Sequence, residues 1–369
     1  MKGQGVRGLT GGPLRGVRVV EFGGIGPGPF CCMLLSDLGA DVVRIDRPGF
    51  DEMDSRNVLL RGRRRVTLDL HSPGGVNIAL DLITHADILV EGFRPGVMER
   101  LGLGPATCDL YNSRLIYGRI TGWGRDGPLS QEPGHDLNYL ALSGILDTIG
   151  RDGDPPVVPL NYIADYGAGG FLMAYGLLAA IYERSYSGRG QVVDAAMVDG
   201  LGLMLGDVLS RAEAGNWRFQ RGSNVYDGGA PFYDVYETQD RAYMAVAAME
   251  PKFFRNLLAT LELHDIDPAS QYDSERWPYI RDRFAVIFRS ASASEWEARF
   301  RGVEACVTAV VPVADVPLNT HVLAREMYTR VDEDLQPAPA PRFGRSSPKI
   351  QPVVFCSAEE VVREWMEGV

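Results

Sequence analysis

The stretch over residues 16–46 limits what this chain can fold into more than any other. Residues 17–21 are a run of apolar strand formers and 23–28 a glycine-rich loop; 29–38 is an amphipathic helical repeat and 42–45 a second apolar run, closed by Asp46 and Arg47. A strand, tight loop, helix and strand in so short a span is a βαβ unit, which commits its two strands to a parallel sheet with helices over its faces. The loop reads GGIGPGP. If Gly24 and Gly26 are taken as the first two glycines of a dinucleotide fingerprint, Pro29 stands where the third belongs. The prolines also remove backbone N–H donors that a pyrophosphate needs. Both points count against NAD. Arg47 is more informative, because a guanidinium at a strand's C-terminal end can hold a phosphate or stack on a base.

The alternation continues. Residues 66–70, 86–91, 115–120 and 190–193 read as strands, and 76–85, 97–101, 171–184 and 195–209 as helices. This predicts an α/β fold with a large Rossmann-like open-sheet domain. The pattern changes at Asp227-Gly228-Gly229-Ala230-Pro231, after which two period-2 runs, 232–237 and 243–248, predict a β-hairpin. Pro251 then opens a helix over 252–261, with further helices over 277–288, 294–300 and 316–325, so a smaller α+β domain is expected. Residues 336–352 are proline-rich and read as an extended linker, and 358–365 as an amphipathic helix returning to the first domain. The expected division is 1–200 with 335–369 as the large domain, 225–320 as the small one, and 201–224 and 321–334 as linkers. There is no internal repeat.

Composition excludes several function classes. A net charge of −11 disfavours nucleic acid and acidic membrane surfaces as partners. No apolar run is read as reaching the roughly 18 residues of a membrane span, and the opening MKGQGVRGLTGGPL has no signal-peptide core. Five cysteines without a CxxC pair point to reduced thiols, no zinc site and a cytoplasmic location.

Candidate chemistry concentrates in residues 133–170. His135 and Asp136 precede an apolar-periodic run, where an N-cap would sit, and Asp165 follows Asn161 at helical spacing ahead of Tyr166-Gly167-Ala168-Gly169-Gly170. A His and an Asp on adjoining helix starts could flank one carbon atom and move a proton on and off it. They could equally be caps, and the residues alone leave both open. Four arginines in residues 61–65 fit either a solvated loop or a cradle for a polyanionic small molecule. Arg94, in GFRPG, ends another strand. Glu250 sits at a strand-to-helix junction, where a carboxylate also offsets the helix dipole.

Nine segments, in order, carry a resemblance: VRVVEFGGIGPGPF, GADVVRIDRPG, RGRRRVTLDL, GFRPGVMERLGLGP, RLIYGRITGWG, GHDLNYLALSG, GQVVDAAMVDG, DGGAPFYDVYET and AMEPKF. Together they resemble the α-methylacyl-CoA racemase family of the family III CoA-transferase (CaiB/BaiF) superfamily, over nearly the whole chain. The resemblance implies racemisation of 2-methylacyl-CoA thioesters through an enolate, with no metal and no cofactor beyond the coenzyme A of the substrate. It implies that His135 and Asp165 are the two acid/bases, that Asn161 bonds the aspartate, that Glu250 orients the histidine, and that the Asp136 backbone N–H holds the thioester oxygen. Arg47, Arg63, Arg64 and Arg94 are expected around the coenzyme A, with Ile25, Gly134 and Tyr139 lining the site. It also implies an interlocked homodimer.

Three departures stand out. The hairpin turn has Arg241 where the family favours glycine, Arg65 replaces a small polar residue, and Tyr162 and Ile163 make the approach to Asp165 bulkier. The alternatives are CoA transfer with Asp165 as an acyl-anhydride nucleophile, an NAD-dependent oxidoreductase, and a non-catalytic acyl-CoA binder. A transferase needs no second base, which sets His135 against the first.

Overall fold

The computed structural model describes residues 11–50 and 57–368. The opening MKGQGVRGLT and residues 51–56 of the irregular segment lie outside the described residues. Two compact units divide the chain: Met1–Ser143 with Leu160–Met204 and Ala324–Val369, and Gly144–Pro159 with Leu205–Leu323.

The large unit is built on a seven-stranded sheet. Its strands are β1 (Arg18–Phe22), β2 (Asp41–Asp46), β3 (Arg63–Thr67), β4 (Ile88–Glu91), β5 (Ile116–Thr121), β6 (Val192–Ala196) and a late strand, β12 (Val354–Phe355). They run in the order β12-β3-β2-β1-β4-β5-β6, all parallel. Helices α1 (Pro27–Asp37), α2 (Pro73–Thr84), α3 (Val97–Arg100) and α4 (Pro105–Tyr111) alternate with them. Strand side chains take opposite faces in turn, so each apolar run feeds two cores. Val20, Val43 and Leu89 pack with α2 and with Val361 and Trp365 of the last helix, α13 (Ala358–Glu367). Val19, Val42, Ile88 and Ile116 pack with Cys31 and Leu35 of α1 and with Met173 and Leu177 of α7 (Leu172–Ser187). The strand order reverses between β1 and β4, and the crevice at the C-terminal ends there is where an open α/β sheet takes its ligand.

The arginine segment is neither a solvated loop nor a cradle. The strand begins at Arg63 rather than Val66, and its cations are spent inside the sheet. Arg63 is fully buried: Nε donates to Glu21 (2.9 Å), Nη1 to the Arg61 carbonyl (2.7 Å) and Nη2 to the Pro29 carbonyl (2.5 Å). Arg64 pairs with Glu364 (2.6 Å) and Asp41 (3.3 Å). Arg63 has no exposed atom left to meet a coenzyme A, which corrects that expectation for Arg63, while Arg64 is paired but still 18% exposed. The physical reason is position: a guanidinium inside a sheet must be paired, and Glu21, Asp46 and Asp41 on neighbouring strands supply the partners. The same arginines clasp the returning C-terminal segment, since Arg61 also donates to the Pro337 carbonyl (2.7 Å). Pro337 ends β11 (Asp334–Pro337), which pairs with β10 (Tyr328–Val331), so the expected extended linker starts as half of a hairpin.

The helix α7 continues a π-wound segment, Tyr162–Phe171. The combined stretch, Tyr162–Ser187, is 26 residues and holds an 18-residue window with a mean hydropathy of 1.2, enough by length and composition alone to cross a membrane. It is not an unbroken apolar run, since Asp165, Glu183 and Arg184 fall within it. Its inner face, Met173, Ala174, Leu177 and Ala180, lies in the core, and its Arg184 pairs with Asp87 (2.8 Å).

In the small unit, β7 (Tyr233–Glu237), β8 (Tyr243–Ala247) and β9 (Val307–Ala309) form an antiparallel sheet. Helices α9 (Pro251–Thr260), α10 (Trp277–Phe288) and α11 (Ala293–Phe300) cover it around Phe232, Phe254, Phe284, Phe288 and Trp296. Arg241 takes φ +61° in the hairpin turn, the left-handed region that explains a preference for glycine there. Residues 144–159, with α6 (Ile145–Thr148), belong to this unit rather than to the large one. Arg221 donates to Asp147 (2.8 Å) and to the Asp154 carbonyl (2.7 Å), and Arg151 pairs with the buried Asp234 (2.6 Å). The expected linker over 201–224 is instead the second half of α8 (Met197–Glu213) followed by a loop that Asn224 and Asp227 tie together. The helix expected over 316–325 is broken at Asn319 into one tight turn, Val316–Leu318, and a short α12 (Thr320–Ala324).

Candidate active site

After β5 the chain runs through Trp123 and Gly134 to α5 (Asp136–Ser143), which starts one residue beyond His135. The His135 carbonyl accepts from the N–H groups of Asn138 (2.8 Å) and Tyr139 (3.3 Å), and its own N–H donates to the Asn138 side chain (3.1 Å). His135 therefore occupies the N-cap position with its imidazole exposed. The first N–H groups of the helix, Asp136 among them, have no intrahelical acceptor and point at whatever lies before the helix.

Glycines let this start be built tightly. A Cβ on Gly122 would come within 2.0 Å of the Tyr139 ring, and one on Gly134 within 2.8 Å of the ring and 2.9 Å of Trp123 Nε1. Tyr139 is buried, packs edge-on against Trp123 at 4.7 Å and donates to the Gly134 carbonyl at 2.5 Å. It supports the backbone beneath His135.

Asp165 lies in the π-wound segment, half-buried. Asn161 donates to its Oδ2 at 3.2 Å. The carboxyl is pushed above the ordinary aspartate range, first by burial and further by the nearby Asp136 charge, against the opposing pull of the Asn161 hydrogen bond and of His135. His135 and Asp165 thus lie within electrostatic reach of each other. Arg94 acts on Tyr139 in the same way, which brings its exposed guanidinium to this edge.

The glycine loop after β1 forms another wall. Gly26 has φ +67°, and a Cβ there would lie 3.1 Å from Asp165 Oδ2. The loop is held from below by Arg44, whose Nη2 donates to the Gly24 carbonyl (3.1 Å). Beyond it, α1 approaches the π-wound segment at Gly169 and Gly170, where Cβ atoms would meet Pro27 (2.8 Å) and Phe30 (2.6 Å). Phe30 stacks on Tyr166 at 4.6 Å. This is the close approach that the small residues permit. Ile25, 79% exposed, projects from the loop, and Arg47 is exposed at the end of β2.

Glu250 lies in the small unit, exposed at the N-cap of α9. The large unit therefore brings together His135, Asp136, Asn161, Asp165, Gly134, Tyr139 and Arg94. Gly26 and the Asp136 side chain were not singled out from the sequence. Nothing local marks the glycine, because Gly104, which also precedes a helix-opening proline, takes φ −68°.

We expect Gly26→Ala to lower kcat by about 10–10²-fold, since a displacement near 1 Å is worth that much. The positive φ adds about 1–3 kcal/mol of strain, readable as a lower melting temperature. Unchanged kcat would show that the loop does not bear on Asp165.

The family model for CoA-transferase family III matches residues 14–355 of the chain. The chain is 44% identical over 357 residues to alpha-methylacyl-CoA racemase of Mus musculus, covering 95% of this chain and 93% of the mouse protein. It is 41% identical over 357 residues to the protein of the same name from Homo sapiens, with 95% and 93% covered. Among solved structures, Rv3272 from M. tuberculosis matches with a TM-score of 0.79 at 25% identity, over 95% of this chain and 98% of that one.

Proposed function

The chain belongs to CoA-transferase family III, and on that premise we propose that it is an isomerase that racemises 2-methylacyl-CoA thioesters at C2. The observation that carries this reading is the pairing of two proton-transfer groups, the exposed His135 and the half-buried Asp165, at adjoining helix starts within electrostatic reach. One group takes the C2 proton from one face, the electron pair moves into the carbonyl to give an enolate, and the other group returns a proton to the opposite face. An imidazole and a carboxyl can each accept or donate a proton, so one pair serves both directions. The raised Asp165 carboxyl suits the task, because a carboxylate at its ordinary value is a weak base for a carbon acid. The Asp136 backbone N–H at the start of α5 stabilises the enolate oxygen with the helix dipole behind it. Asn161 steadies Asp165, and the orienting of His135 is the role that the family resemblance gives Glu250.

The coenzyme A is held by Arg47 and Arg94, with Ile25, Gly134 and Tyr139 along the thioester end. Both proton transfers use side chains alone, so the only coenzyme needed is that of the substrate. We also read the assembly as a homodimer. Support comes from an aromatic ridge along Tyr162–Ser187, where Phe171 and then Tyr175, Tyr182 and Tyr186 of α7 recur at helical spacing and are all more than half exposed. The five free cysteines support a reducing, cytoplasmic location.

A single enantiomer of a 2-methylacyl-CoA, incubated in heavy water without an acceptor acid, should gain deuterium at C2 while its optical purity falls. Transfer by Asp165 as a nucleophile never breaks the C2–H bond, so retained configuration together with acyl transfer to an added acid would replace this reading.

A further inference from the structure

Asp136 has a side chain that the roles above leave unused. The residue is 5% exposed, and its carboxylate is turned toward the segment that carries Asp165. Oδ2 accepts the N–H groups of both Ala164 and Asp165, each at 2.8 Å, while Oδ1 is buried with no hydrogen-bond partner. A carboxylate beside a helix start ordinarily caps the N–H groups of its own first turn. This one caps the segment that carries Asp165, and it follows His135 in the chain. One residue therefore joins the two proton-transfer groups: its backbone is peptide-bonded to His135, and its side chain accepts the N–H groups of Ala164 and Asp165.

Resting on the reading of His135 and Asp165 as the acid/base pair, we propose that Asp136 is the positioning residue of the reaction, a strut whose carboxylate fixes the separation of that pair. An anionic oxygen buried without a donor costs free energy that a neutral residue would avoid. A simple cap needs only Oδ2, so the charge on the carboxylate serves something else. Its nearest beneficiary is Asp165, whose carboxyl is raised by burial and, in addition, by Asp136.

The neighbours of Asp165 leave few other sources for that effect. Asp136 and His135 at the start of α5 are the charges that act on it, Asn161 donates to it, and Tyr139 feels its field. The glycine loop and α1 face it with Gly26, Pro27 and Phe30, and α7 adds no charge in its first turn. On β6, Asp194 is tied electrostatically to Arg125 and Arg119, and Arg119 of β5 pairs with Glu91 and Glu99.

The test is Asp136→Asn, which keeps a side-chain oxygen for the two N–H groups and removes the charge, alongside Asp136→Ala, which removes both. Expected for Asn are an unchanged affinity for acetyl-CoA, kcat lower by about tenfold, and an acid limb of the kcat/KM profile moved to lower pH. Ala should lower kcat by about 10²-fold, the scale of a 1 Å misplacement. Wild-type kcat in both variants would overturn the proposal. So would a fall in kcat that tracks a lower melting temperature while the acid limb stays in place, because a purely structural cap predicts that pattern. Asp165→Asn is measured beside them. If that variant racemises normally, the acid/base reading itself falls and the strut with it; if it is inactive, the Asp136 results stand on their own.

Discussion

Asp165→Ala and His135→Ala should each slow racemisation by about 10²–10⁴-fold, the range that one positioned acid or base supplies. The two losses should differ in kind. With two groups on opposite faces of C2, each single variant keeps one of them. His135→Ala should still exchange the C2 proton of the enantiomer whose hydrogen faces Asp165, and Asp165→Ala that of the other, both without inverting the centre. Chiral chromatography after incubation in heavy water reads both quantities at once. The double variant should do neither, and its loss should fall well short of the product of the single ones, because the pair acts as a unit. Exchange of both enantiomers by either single variant would mean that one base reaches both faces. In the wild type, the acid limb of kcat/KM should lie above the ordinary carboxylate range, following the raised Asp165 carboxyl.

Much of this was legible in the chain. The βαβ unit at 16–46 and the strands after it are specified by continuous apolar runs, which only a sheet buried on both faces requires. The hairpin before Glu250 and the helix opened by Pro251 are likewise local, set by period and by proline. His135 and Asp165 stood out because each combines a proton-transfer group with a helix start. What could not be read is what the long-range partners decide. Residues 144–159 look like a loop of the large domain until Arg221 and Arg151 claim them for the other unit. The short β12 joins the sheet edge beside β3 from almost three hundred residues away, and nothing local marks it.

The arginines show the same limit from the other side. Composition shows four cations in residues 61–65, and a row of cations suggests either water or a polyanion. Their partners are Asp37, Asp41, Glu21 and Asp46, all earlier in the chain, and Glu364, far later. Arg64 and Arg65 fall beside Val43 and Arg44 only through the parallel register of β2 and β3. The Asp136 carboxylate was missed for a related reason. Its position at a helix start accounts for an acidic residue so completely that nothing in the sequence asks where the second segment's N–H groups find their acceptor.

Glu21→Gln tests the charged ladder that results. Glu21 is 1% exposed on β1 and accepts from Arg44 (2.6 Å) and Arg63 (2.9 Å), while Arg44 and Arg65 share Asp46 at 2.8 Å each. Removing the carboxylate leaves buried guanidinium groups without their counter-charge, which costs about 3–5 kcal/mol when one partner of a buried pair is lost. Calorimetry at pH 7 should show that loss as a large drop in melting temperature. The pH dependence carries a sign. Burial alone would raise the Glu21 carboxyl, but Arg63 and Arg44 outweigh it and hold it below the 4.5 of a free glutamate. A carboxyl lowered on folding contributes stability that is present in full above its unfolded value and is lost as pH falls through its folded one. The gap between wild type and variant should therefore be constant above about pH 5 and close only at lower pH. Activity should fall too, because Arg44 also holds the Gly24 carbonyl, and a guanidinium that swings toward Asp46 releases the loop standing over Asp165. A variant as stable as the wild type at pH 7 would mean that the ladder is neutral on balance and that the arginines find equal partners without Glu21.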